Sequence, residues 1–117
     1  MIPVAERALS SAETAVLESA LRQSALVQVN DTMLSTLSAL RVVGICACGC
    51  KSVYFEPIAK EDTLLADTWG TAPGGGHLGI MVWGREGRVT ALDIVDYESK
   101  GELPVIETIG KAADHAL

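Results

Sequence analysis

Aromatic and basic side chains are the residues that this sequence has least of. One Phe, two Trp and two Tyr make up 4% of the 117 residues, and nine Lys and Arg stand against 15 Asp and Glu, for a net charge of -6. Because nucleic-acid affinity comes largely from Lys and Arg that neutralise phosphates, we expect no nucleic-acid partner. The acidity suits a protein kept soluble by charge repulsion, or one that meets a basic partner.

Long apolar runs are also missing. No stretch approaches the ~20 apolar residues of a membrane-spanning helix, and residues 1–7 lack the basic region and apolar run of a signal peptide. We therefore expect a cytoplasmic protein without a membrane partner. The hydrophobic content of 49% is carried by Ala, Leu, Val and Ile, and with the length of 117 residues it predicts one domain over residues 1–117.

Cysteine is rare and confined to one place, at Cys46, Cys48 and Cys50. An odd number within five positions excludes the spread disulfide framework of small secreted proteins, so reduced thiols are expected. A chain of this length needs neither a disulfide nor a metal to fold.

Two helices are predicted within residues 10–40. Ser10 and Glu13 have the spacing of a capping box, and apolar residues recur at helical spacing behind them, which predicts a helix over residues 11–23. Asn30 can cap a second, shorter helix whose leucines face the core. Both helices are expected to precede the strands.

The sheet is predicted over residues 41–98 and begins with a hairpin. Residues 42–48 and 52–56 are rich in alternating apolar side chains, and a Gly-containing loop at residues 48–51 separates them. The interpretation places this bent ribbon, centred on Gly49, in the middle of the molecule.

A second hairpin is predicted from residues 77–83 and 88–97, with Gly87 supplying a left-handed conformation in the turn. Residues 63–69 are a further candidate strand, and residues 99–117 are predicted to be a C-terminal extension. The fold class is therefore α+β: two N-terminal helices packed on a sheet of four or five mainly antiparallel strands.

Two segments resemble small bacterial proteins that are found mainly in actinobacteria: Arg41-Val-Val-Gly-Ile-Cys-Ala-Cys-Gly-Cys50 and Val82-Trp-Gly-Arg-Glu-Gly-Arg-Val-Thr-Ala-Leu-Asp93. Those proteins carry a similar Cys-rich hairpin and a similar strand, Gly turn and Leu-containing strand. No function is assigned to them, so the resemblance brings no activity with it. They usually have Pro after the last Cys, where this chain has Lys51.

The three thiols are a candidate zinc site, and His77 is the candidate fourth ligand. Cysteines two apart in a straight strand have Cα atoms about 6.6 Å apart. Zinc requires sulfurs within roughly 3.8 Å of each other. Gly49 would have to bend the chain to bring the sulfurs together. The alternatives are small buried thiols that pack like Ala, which implies no cofactor, and a strained, easily reduced disulfide between neighbouring cysteines.

An enzyme is not the favoured interpretation of this sequence. A nucleophilic Cys would need His77 or His115 and an acid such as Asp67 or Asp93 within hydrogen-bond reach. The glycines of residues 73–76 lack the Gly-Lys-Ser ending of a phosphate-binding loop and are read as a connection.

An interaction surface is the remaining candidate, because Trp and Tyr are enriched at binding hot spots. Its residues would be Trp69, Trp83, Tyr54 and Tyr97. Acidic residues near the end of the last strand would meet a basic partner: Asp93, Asp96, Glu98 and Glu102. We therefore predict a non-catalytic interaction or regulatory (immunity-like) module with a protein partner or self-association. The alternative is a thiolate metal-binding or redox-sensing protein.

Overall fold

A computed structural model describes residues 1–96 and 101–110 and shows an α+β fold. Its helices are α1 (Ser11–Ser24) and α2 (Asp31–Ser35), and short 3-10 turns lie at Leu37–Ala39 and Ile106–Thr108. Its strands are β1 (Ile2–Ala8), β2 (Arg41–Ile45), β3 (Val53–Tyr54), β4 (Thr63–Thr71), β5 (His77–Arg85) and β6 (Arg88–Asp96).

The strands form one sheet in the order β1-β2-β3-β6-β5-β4, and every neighbouring pair is antiparallel. The prediction of four or five strands was wrong, because the sheet has six. The expectation that both helices precede the strands was also wrong, since β1 comes first. The register of β1 is irregular between Pro3 and Arg7. Most side chains of β1 are exposed, so its sequence lacks the alternation of apolar and polar residues that is typical of a strand.

Helix α1 begins as its sequence predicts. The Ser10 hydroxyl accepts from the Glu13 amide at 3.0 Å, and the Glu13 carboxylate accepts from the Ser10 amide at 2.8 Å, which confirms the capping box. The apolar face of α1 is buried in the hydrophobic core through Val16, Leu17, Ala20 and Leu21. The second predicted helix is only the five residues of α2, none of them fully buried.

The core lies against one face of the central strands. Leu78, Ile80 and Val82 of β5 and Leu92 and Ile94 of β6 belong to the same buried cluster as the apolar face of α1. The alternate residues of these strands point to the other side of the sheet. We call that side the second face; it carries Tyr54, Asp67, Trp69, Met81, Trp83, Ala91 and Asp93.

The β5–β6 hairpin confirms the predicted turn. Arg85 pairs with Arg88 across a two-residue turn in which Glu86 and Gly87 have φ of 53° and 79°. Positive φ at both central residues is the type I′ geometry that matches the twist of a hairpin. Glycine at the second position makes this conformation accessible without strain.

The outer edge of β4 is covered by two other segments. Ala25 forms a bridge with Ala66, and the Leu26 amide donates to the Leu65 carbonyl at 2.8 Å. Further along, the Val105 amide donates to Thr71 at 2.8 Å and the Gly110 amide donates to Trp69 at 3.0 Å. Residues 101–110 therefore run along the sheet, whereas the predicted tail at residues 111–117 lies outside the described part of the chain. Within residues 1–96 and 101–110, no helix combines the length and the apolar character that crossing a membrane requires.

Acid is expected to weaken the anchoring of β1 to α1. The Arg7 guanidinium donates to both carboxylate oxygens of Glu13 at 2.9 Å, and mainly for this reason the pKa of Glu13 lies below its ordinary 4.5. Because the folded pKa is the lower one, this contribution to stability is complete above pH 4.5 and disappears as pH falls through the folded value. The Arg7 side chain is 45% exposed, so we expect at most about 1 kcal/mol.

Urea unfolding at pH 7 and at acidic pH measures this loss. Glu13→Gln should lose less stability than the wild type between the two pH values, since glutamine does not titrate. Glu18→Gln, in an exposed pair with Arg22 on the same helix, is the control. Equal pH dependence of the wild type and Glu13→Gln would contradict the expectation.

Candidate metal centre

All three cysteines lie in the loop between β2 and β3. The strand pairing is the predicted one, with Gly44 opposite Tyr54 and Ile45 opposite Val53. However, β2 ends at Ile45, so the prediction that residues 46–48 continue the strand was wrong. Gly49 has φ of 87°, a left-handed conformation that turns the chain back toward β3 and that side chains disfavour.

The loop brings the three sulfur atoms together at the surface. The Sγ atoms of Cys46, Cys48 and Cys50 all lie within 4.8 Å of one another, and those of Cys46 and Cys48 are 2.9 Å apart. All three are free thiols; Cys48 is exposed and the other two are half-buried. The interpretation that they serve as buried filler between layers was therefore wrong. Their convergence needs a loop, because a straight strand would hold them too far apart.

Backbone amides point at two of the sulfurs. The Cys48 amide donates to Cys46 Sγ at 3.5 Å, and the Cys50 amide donates to Cys48 Sγ at 3.4 Å. A donor aimed at sulfur suits a sulfur that carries negative charge or binds a cation. The loop backbone thus both gathers the thiols and supplies donors to them.

Ser52 ties the third cysteine to the sheet. Its hydroxyl is buried, accepts from the Ile94 amide at 2.8 Å, and donates to Asp93 Oδ1 at 2.8 Å. The Cys50 thiol donates to the same hydroxyl at 3.2 Å. Strand β3 is only two residues long. The Ser52 hydroxyl therefore accepts the hydrogen bond of the Ile94 amide in β6, which the backbone carbonyl of a longer strand would otherwise accept. Sequence reasoning missed Ser52 because its contacts are 41 and 42 residues away.

Two carboxylates lie near the thiols. Asp93 and Asp96 line the same surface cavity as the cysteines, with a volume of about 270 Å³. Asp96 accepts from the Gly101 amide at 2.8 Å, which draws residue 101 toward the loop. These carboxylates place negative charge in the cavity beside the thiols.

The pKa of Tyr54 is affected by the groups around the thiol loop. Its pKa is raised, first by burial and then by the negative charge of Asp93 and of the cysteines. Tyr54 is therefore held as a neutral hydroxyl next to the acidic loop.

Among the predicted catalytic partners of the thiols, Asp93 lines the thiol cavity, whereas His77 and Asp67 do not. His77 is exposed at the start of β5, opposite Thr71, and the group of potential metal ligands found in the described residues contains the three cysteines without it. Asp67 and Asp93 lie on either side of Met81 in the sheet. Tyr97, Glu98 and His115 lie outside the described residues.

The aromatic candidates lie on the second face. Tyr54 and Trp83 are half-buried and flank Ala91, and Trp69 on β4 is 36% exposed. Trp69 reaches over Gly79, where its ring comes within 3.9 Å of the position that a Cβ atom would take. The described chain therefore places three of the four predicted interaction residues on one face.

Comparison with known proteins adds no relative. No family model, no curated protein and no solved structure matches the chain. The similarity to actinobacterial proteins stays a prediction, and the function is inferred from the chemistry of the thiol loop and the second face.

Proposed function

We propose that the protein binds a thiophilic metal ion, with zinc as the first candidate, through Cys46, Cys48 and Cys50. The observation that supports this is the convergence of three sulfurs within 4.8 Å on one short loop. Tetrahedral zinc with Zn–S bonds of about 2.3 Å needs sulfurs roughly 3.8 Å apart. The 2.9 Å between Cys46 Sγ and Cys48 Sγ is shorter than this spacing, and the 4.8 Å limit for the three sulfurs is longer.

The surrounding groups are consistent with a bound cation. The amides of Cys48 and Cys50 donate to sulfur, and Ser52 holds Cys50 in place through β6. Outer groups of this kind orient metal ligands and tune the affinity of the site. Thiolate ligands also suit copper(I), which makes it the main competitor of zinc.

The exposure of the loop favours reversible binding. Structural zinc sites are closed by four protein ligands, whereas open sites keep a position for water or another molecule. The group formed by the described residues supplies three ligands, and Cys48 is exposed. We propose a regulatory or metal-sensing role, because reversible binding lets the metal occupancy vary, and a cytoplasmic location, where thiols stay reduced.

The test is a metal titration of reduced protein under anaerobic conditions at neutral pH. We expect one zinc or cadmium ion per chain, with cadmium giving the ultraviolet charge-transfer absorption of metal–thiolate bonds. Competition with a chromophoric chelator gives the affinity. Protein that takes up no metal and keeps inert thiols would contradict the proposal.

A second candidate function is a protein-interaction module, immunity-like or self-associating, that uses the second face. The observation that favours it is the exposure of Trp69 on the same sheet face as Tyr54 and Trp83, a face that also carries acidic side chains. Metal-free protein together with a co-purifying basic partner would favour this candidate over the first.

A further inference from the structure

The second face contains a slot between two aromatic side chains. Ala91 pairs with Tyr54 on one side and with Trp83 on the other, so the three residues form one row across β3, β6 and β5. Neighbouring strands lie about 4.8 Å apart, which places the Cα atoms of Tyr54 and Trp83 roughly 10 Å apart with only the Ala91 methyl group between them. All three line a cavity of about 270 Å³.

A carboxylate lies next to this slot. Asp93 follows Ala91 by two residues on β6, so its side chain is on the same face, and it lines the same cavity. Its Oδ1 atom accepts from Ser52, and no ion pair involves Asp93 within residues 1–96 and 101–110. The other acid of the cavity, Asp62, is paired with Arg85 at 2.7 Å. Asp93 is therefore the available negative charge.

We propose that the slot between Tyr54 and Trp83 binds a guanidinium group. A flat group held between two rings needs about 7 Å, twice the van der Waals contact distance of ~3.5 Å. Guanidinium is planar, stacks on aromatic faces, and carries N–H donors in its plane that match a carboxylate. Asp93 supplies that carboxylate at the side of the slot.

Other classes of ligand fit the slot less well. An anion would be repelled by Asp93 and by the net charge of -6. An apolar group would remove water from an ionised carboxylate without offering it a hydrogen bond. A compact ammonium ion would pair with Asp93 but would stack less well on the two rings. The inference does not depend on metal binding, because the thiols do not line the slot. An arginine side chain of a partner protein would give the second candidate function its ligand, since that function uses the same face.

The experiment is a titration of the Trp69→Phe variant of the full chain with N-acetylarginine amide. Binding is monitored by the fluorescence of Trp83, the tryptophan that remains in this variant. The citrulline analogue, with the same shape and no charge, is the matched ligand control. We expect saturable quenching with a dissociation constant of order millimolar for the arginine ligand, and no saturable change with citrulline.

Three variants test the assignment. Asp93→Asn keeps the shape and should weaken binding about tenfold, through loss of a charge-assisted hydrogen bond. Ala91→Leu fills the slot and should abolish binding, with circular dichroism to verify folding. Glu61→Gln, an exposed acid next to the cavity-lining Asp62, should bind as the wild type does.

Several results would overturn the proposal. These are equal binding of arginine and citrulline ligands, unchanged binding in folded Asp93→Asn, or a lysine amide that binds as tightly as the arginine amide. A Gly-Arg-Gly peptide distinguishes the two sources of a guanidinium group, an arginine side chain of a protein and a small guanidinium compound. Tighter binding of the peptide would support an arginine side chain of a protein, and equal binding would support a small guanidinium compound.

Discussion

Replacing Cys48 with serine is expected to weaken zinc binding by at least about 100-fold. The free energy of zinc binding to complete sites is ~10–16 kcal/mol, so each ligand contributes a few kcal/mol to it. Cys48 is the middle ligand, with its sulfur 2.9 Å from Cys46 Sγ and its amide directed at Cys46 Sγ. Serine keeps the amide and the size of the side chain but removes the thiolate. Chelator competition at neutral pH measures the loss, and the cadmium charge-transfer band should fall in parallel.

The matched control is Ala47→Ser, which adds a hydroxyl to the same loop without touching a ligand. Ala47 is exposed, so this variant should bind zinc as the wild type does. Because Cys48 is exposed too, Cys48→Ser should leave the free energy of unfolding of the metal-free protein within about 0.5 kcal/mol of the wild type. Zinc binding that survives in Cys48→Ser would exclude the three-thiolate site.

Replacing Ser52 with alanine is expected to lower both stability and metal affinity. The Ile94 amide, buried in β6, would lose its acceptor at 2.8 Å, and an unpaired buried donor costs about 1–3 kcal/mol. Cys50 and Asp93 would lose their common partner. Removal of such outer groups typically reduces metal affinity by about 10–100-fold. Urea unfolding of metal-free protein measures the first effect, and chelator competition measures the second.

Ser35→Ala is the control for this substitution. Its hydroxyl donates to the Thr32 carbonyl at an exposed site, so both measurements should stay near the wild-type values. If Ser52→Ala were as stable as Ser35→Ala, the hydroxyl would not be the acceptor for Ile94. If stability fell but metal affinity did not, Ser52 would hold the sheet without positioning Cys50.

Local sequence signals predict the elements that depend on local contacts. The capping box at Ser10 and Glu13 defines the start of α1, and Gly87 marks the turn between β5 and β6, because both features involve residues at most four apart. Strand β1 depends instead on partners about forty residues away and is exposed along most of its length. Its sequence carries no periodic signal, so its place in the sheet could not be predicted.

The candidate site was predictable in composition but not in geometry. Three cysteines at alternate positions identify the candidate ligands, but the same alternation is also typical of a strand. Whether the sulfurs converge depends on the turn at Gly49. The roles of Ser52 and Asp93 come from the pairing of β3 with β6, a contact between distant parts of the chain. The slot at Ala91 has the same origin, because its two rings come from β3 and β5.

The segments that run along the outer side of β4 have a consequence for how molecules of this protein meet one another. A nine-residue border strand without Lys, Arg or Pro has little of its own to prevent another chain from adding to it. Here Ala25 and Leu26 cover one half of the outer edge of β4, and residues 105–110 cover the other half. Growth of sheets from molecule to molecule is thereby blocked on this side by the protein's own backbone.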